Sequence, residues 1–132
     1  MFGRRYVLPP PVTGALERVF SVPVGGVVVI ERSLYARLHL GMLATTRPNR
    51  ILLAVTGEQF VADPALVLHE YFHVLRQWGQ GRLTRWRYLV ESARRGYWDN
   101  TYEREARDFT ASALPRFRGY LQSDLPARHT PI

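Results

Sequence analysis

One stretch constrains this chain more than any other: Asp63-Pro64-Ala65-Leu66-Val67-Leu68-His69-Glu70-Tyr71-Phe72-His73-Val74-Leu75-Arg76-Gln77-Trp78. Asp63 is a good N-cap, Pro64 suits the first helical position, and Gly79 or Gly81 stops the helix after Trp78. Leu66, Val67, Leu68, Tyr71, Phe72, Val74 and Leu75 make that helix apolar nearly all round, so it is buried. His69, Glu70 and His73 sit at its middle, where polar groups need a partner. With His69 and His73 four residues apart, both imidazoles project from one face, one turn apart. Two nitrogens so placed can reach one zinc ion at about 2.0–2.1 Å each. Glu70 is not needed as a ligand. It can take a proton from a metal-bound water and pass it to a leaving amine.

Two histidines leave a tetrahedral site incomplete, and the chain has no cysteine. The third ligand is sought in Asn100-Thr101-Tyr102-Glu103-Arg104-Glu105-Ala106. Glu103 and Glu105 point about 200° apart on a helix, so they cannot share one role. Tyr102, Ala106, Phe109 and Ala113 mark the expected buried stripe, with Glu105 on its flank. Glu103, three residues after Asn100, is at the position from which a capping box reaches back to the N-cap amide. This reading favours Glu105 as the ligand and gives Glu103 a structural task.

The remaining sequence reads as a small sheet half followed by a helical half, an α+β arrangement. Thr13 is the expected cap of a short helix through Phe20. Val27 to Ile30 is a β-branched run suited to a buried strand. Arg47-Pro48-Asn49-Arg50 is a turn signal that makes 42–46 and 51–55 an antiparallel hairpin, for a sheet of about three strands. Further helices are expected over 84–95, from Asp99 or Asn100 to about Ala113, and over 116–122 after a break at Leu114-Pro115. At 132 residues the chain suits one domain, with 1–12 an N-terminal arm and 123–132 a flexible tail. The tail, with Asp124 and His129, could fold into the cleft and block the site.

The net charge of +7 comes from arginine alone, since lysine is absent. The arginines are scattered rather than massed on one segment, which argues against a nucleic-acid partner. No apolar run is long and unbroken enough to span a bilayer. With no secretory leader visible, the expected location is the cytoplasm.

The run from Leu66 to Val74 resembles the active-site helix of the gluzincin metallopeptidases, and Glu105-Ala106 resembles their glutamate-ligand segment. The likeness is closer to the small one-domain minigluzincins, where a Thr-x-x-x-x-Ile hairpin and a Phe-x-x-Asp segment lead into the HExxH helix. Thr46, Ile51, Phe60 and Asp63 occupy the matching places here. The resemblance implies a zincin-like fold, with His69, His73 and Glu105 holding Zn2+ and Glu70 as general base. It also implies a peptide or protein substrate lying along an exposed sheet edge. Arg107 stands where those relatives commonly carry Asp or Asn to buttress a ligand histidine. Tyr97, Tyr102 and His39 are candidates by type for stabilising an oxyanion. The expected function is zinc-dependent peptide hydrolysis, and the alternative is a non-catalytic zinc-binding domain of the same fold.

Overall fold

A computed structural model of the chain describes residues 3–33, 44–79, 87, 90, 93–96 and 100–123. The elements, in chain order, are β1 (Arg4–Tyr6), α1 (Pro10–Phe20), β2 (Val28–Glu31), β3 (Ala44–Arg47), β4 (Arg50–Leu53), α2 (Gly57–Val61), α3 (Pro64–Phe72), a π-helical segment (His73–Trp78) and α4 (Thr101–Ser123). The fold is mixed α+β, a four-stranded sheet half and a helical half. Among the described residues, no helix is long and apolar enough to cross a membrane. The helix expected over 84–95 falls mostly outside the described residues, as does the tail beyond Ser123.

The sheet order is β1-β2-β4-β3, with β2 parallel to β4 and both edge strands antiparallel to their neighbours. Pro48 and Asn49 form the β3–β4 turn, Asn49 taking a left-handed φ of 59° that asparagine tolerates. Period-2 alternation sends Val29, Ala44, Thr46, Ile51 and Leu53 into the core. The hairpin matches the expectation, but among the described residues the sheet has four strands rather than three. The extra strand comes from the expected N-terminal arm. Its Arg4-Arg5-Tyr6 sequence carries no apolar alternation, and its place is set by a distant partner.

That partner is Glu31. It is buried, accepts the Gly57 amide at 2.7 Å and is paired with Arg4 Nε at 2.9 Å. One carboxylate thus ties β1, β2 and the start of α2 together. Gly57 is required there, because a Cβ would run into the Tyr6 ring. The next residue back, Thr56, caps α2 in a full capping box with Gln59.

α1 starts at Pro10, three residues before the expected Thr13. Pro10 and Pro11 fill first-turn positions whose missing N–H groups would have no helical partner anyway. α1 packs along α4, and a stack of aromatic rings joins these helices to α3: Phe20 against Phe109 at 5.2 Å and Phe109 against Phe72 at 4.7 Å between centroids. α4 does not break before Pro115 but runs on for 23 residues. Proline inside a helix costs about 3 kcal/mol through its lost hydrogen bond and ring clash. Burial of Ala113 and Phe117 offsets that cost, as does Arg18 stacked over the Tyr120 ring at 4.2 Å.

Asp63 caps α3 by accepting the Leu66 amide, and Pro64 follows at the first position, as expected. Past Phe72 the helix widens to a π form, closed by the Gly79 amide on the Val74 carbonyl at 2.8 Å. Gly79 permits this closure, since a Cβ would lie 2.9–3.0 Å from the Leu75 and Val74 carbonyl oxygens.

The Gly57 amide, first, and Arg4, second, hold the Glu31 carboxyl below its ordinary 4.5. A depressed folded value means its stabilisation is present above the ordinary value and lost as pH falls through the depressed one. The melting-temperature gap between wild type and Glu31→Gln is therefore expected to be widest near neutrality and to close between about pH 5 and pH 2. A gap independent of pH would remove the charge-based role of Glu31.

Candidate metal centre

α3 carries His69 at the third position before its end, and the π segment opens with His73. The two rings meet edge to face, 4.8 Å between centroids and 80° between planes. Both Nε2 atoms point at one oxygen of α4, Glu103 Oε1, at 3.0 Å from His69 and 3.1 Å from His73. The three ligand atoms lie within 4.8 Å of one another, close enough to hold one metal ion. His73 and Glu103 are buried, while the His69 side chain keeps 17% exposure. Two imidazole nitrogens and a carboxylate oxygen are the donor set of an open divalent-metal site, three protein ligands with a position left for water or substrate.

The carboxylate that the structure places with the two histidines is Glu103, whereas the sequence reading favoured Glu105. The buried stripe of α4 runs Glu103, Ala106, Thr110, Ala113, Phe117, in steps of three and four. The expected stripe shares Ala106 and Ala113 with it, but Tyr102 and Phe109 give way to Glu103 and Thr110, which turns the buried face by roughly half of a 100° residue step. Asn100 caps α4 as expected, its Oδ1 accepting the Tyr102 amide at 2.8 Å and the Glu103 amide at 3.4 Å. The Glu103 side chain turns to the histidines. Glu105 is half-buried and accepts from Gln77 Nε2 at 2.9 Å.

Gln77 escaped the sequence reading. It is completely buried, and its Oε1 lies 2.6 Å from His73 Nδ1. The available signal was a polar residue four places after His73 in an otherwise apolar helix.

Glu70 is buried beside the histidines and is not one of the three clustered donors. Burial raises its carboxyl above the ordinary range, His73 and His69 draw it down, and Glu103 pushes it up again, with a net rise. Burial disfavours charge on His73, but Glu103, with Glu70, outweighs it and lifts the imidazole to about 9. That proton is the one a bound metal would displace.

Glu70 and His69 face a pocket of about 550 Å³, walled by Ala44 of β3, Leu66 of α3 and Thr110 and Leu114 of α4. Thr110 Oγ1 is buried there without a hydrogen-bond partner. β3, on the same side, is an edge of the sheet among the described residues. The Asn49 and Leu53 carbonyls bond to Val28 and Ser33, so odd-numbered β4 residues face β2. Arg50 and Leu52 then face β3, opposite Arg47 and Thr45. The backbone groups of Ala44 and Thr46 consequently turn to the outer edge. Thr46, directly opposite Ile51, also accepts Trp78 Nε1 at 3.0 Å through its hydroxyl, pinning this edge to the end of the π segment.

Phe60 is wholly buried in the core, so with Asp63 as a cap the residues of the Phe-x-x-Asp segment are structural. Tyr102 supplies a backbone carbonyl to Gln77. His39 and Tyr97 lie outside the described residues. Comparison with protein-family models, curated proteins and solved structures gives no match.

Glu103→Ala is expected to abolish metal retention, dropping zinc from about one ion per chain to near zero by elemental analysis after desalting. Glu105→Ala should keep the ion. Loss in Glu105→Ala with retention in Glu103→Ala would reverse the assignment.

Proposed function

We propose that this chain is a zincin-type metallopeptidase that holds Zn2+ with His69, His73 and Glu103 and hydrolyses peptide bonds with Glu70 as general base. The observation that carries the reading is the division of labour among four buried or half-buried groups. Three converge on one point, and the fourth, Glu70, adjoins them while facing an open pocket.

When bound, zinc supplies Lewis acidity and lowers the pKa of a water it holds to about 7 in favourable sites. Glu70 takes the proton of the attacking water and returns it to the departing amine. Its raised carboxyl suits that exchange, because a base works best with a pKa near the operating pH. The outward N–H and carbonyl of Ala44 and the Thr46 amide suit an extended peptide, which would add as a strand to the β3 edge by displacing Arg47 Nη1 from the Thr46 carbonyl, where it sits at 2.8 Å. A side chain next to the cut bond would enter the pocket, whose Ala44, Leu66 and Leu114 walls favour apolar residues.

Glu70→Gln preserves shape while removing the base. It is expected to retain zinc at the wild-type level and to lose at least about a hundredfold in peptide cleavage, read by mass spectrometry on a mixed peptide substrate. Undiminished cleavage by zinc-loaded Glu70→Gln would overturn the mechanism. A wild type that is stabilised by zinc yet cleaves nothing would favour the non-catalytic reading.

A further inference from the structure

Behind the histidines lies a second layer of buried polar groups that neither the ligand set nor the general base accounts for. Gln77 is fully buried and sits four residues after His73 within the π segment. Its Nε2 donates to the Tyr102 carbonyl at 3.0 Å and to Glu105 Oε1 at 2.9 Å. Both of these partners can only accept, so they take the two N–H groups of the amide and fix its orientation. The oxygen is thereby the atom that faces His73 Nδ1 at 2.6 Å. An amide oxygen cannot donate, so Nδ1 must carry the hydrogen. Nε2, on the Glu103 side at 3.1 Å, is then the nitrogen whose proton a metal would displace.

We propose that Gln77, locked by Glu105 and the Tyr102 carbonyl, is a positioning residue for the metal centre. It holds His73 in the Nδ1–H tautomer and sets the ring so that Nε2 meets the point shared with His69 and Glu103. The inference rests on the metal-centre reading above and assigns that site its outer shell. It also gives Glu105 a task. The carboxylate that is not at the metal orders the amide that orders the ligand, and both are carried by the helices that supply the ligands themselves.

The alternative is that Gln77 merely satisfies a buried carbonyl. A polarity swap separates the two roles. In Gln77→Leu the acceptor for Nδ1–H is gone. In the double variant Gln77→Glu/Glu105→Gln, a carboxylate at position 77 accepts from both His73 Nδ1–H and the amide at position 105. The total charge is unchanged; the Tyr102 carbonyl keeps its own helical amide but then faces a carboxylate oxygen in place of an N–H, a repulsion the swap has to outweigh.

Zinc affinity would be measured by chelator competition for wild type and both variants, with folding checked by circular dichroism. The expected result is a 10–100-fold weaker affinity in Gln77→Leu and recovery to within about threefold of wild type in the swap. Nitrogen-15 NMR of zinc-loaded wild type, which needs no variant to fold, should show His73 protonated at Nδ1 and metal-bound at Nε2. Wild-type affinity in folded Gln77→Leu or the opposite tautomer would each overturn the inference while leaving the metal centre standing. A wild type that takes up no zinc would fail the metal-centre reading first, and this inference with it.

Discussion

Two imidazoles from one helix and one carboxylate from another converge inside the protein, and much of the helical half is arranged around that meeting. A carboxylate as buried as Glu103 is costly to desolvate unless charge and hydrogen bonds compensate it. His69 and His73 supply that compensation from a single face of α3 and its π extension, through one oxygen. The same convergence of donors is what a divalent cation requires. The interaction that satisfies the buried acid and the arrangement that would ligate a metal are therefore one feature.

Holding it demands that α3 and α4 meet in one rotational setting. The Phe20, Phe109 and Phe72 rings brace α1, α4 and α3 against one another. The continuity of α4 through Pro115 lengthens that brace, since Ala113 and Phe117 extend the stripe that begins at Glu103. The sheet half is fastened by different chemistry, the Glu31 carboxylate joining β1 and the start of α2. A hydrogen bond from Trp78 to Thr46 then links the site-bearing helix to the edge strand. An edge strand, a pocket and a cluster that could hold a metal thus share one side of the described structure, the combination on which the proposed peptide hydrolysis rests.

Gln77 and Glu105 show how such a site can be tuned without a residue at the metal. The histidines present geometry, but which ring nitrogen carries the proton depends on what lies behind the ring. In this chain that setting comes from a neutral amide whose own orientation is imposed by a carboxylate and a backbone carbonyl.

The local part of this architecture was legible in the sequence. The Asp63-Pro64 start, the one-face pair His69 and His73, the Pro48-Asn49 turn and the Asn100 cap all follow from interactions within a few residues, which a sequence states directly. Five things were not. β1 forms because Glu31 receives it from 27 residues away. α4 passes through Pro115 because tertiary packing outweighs a local penalty. The π turn after Phe72 and the burial of Gln77 come from fitting α3 against its neighbours. Above all, sequence spacing settled that Glu103 and Glu105 face different ways but not which of them faces the histidines. The two stand about 200° apart on opposite flanks of the stripe, so a turn of roughly half a residue step decides which flank meets the histidines, and periodicity with polar and apolar residues mixed on both flanks does not define a helix face that finely. Only the packing of α4 on α3 does.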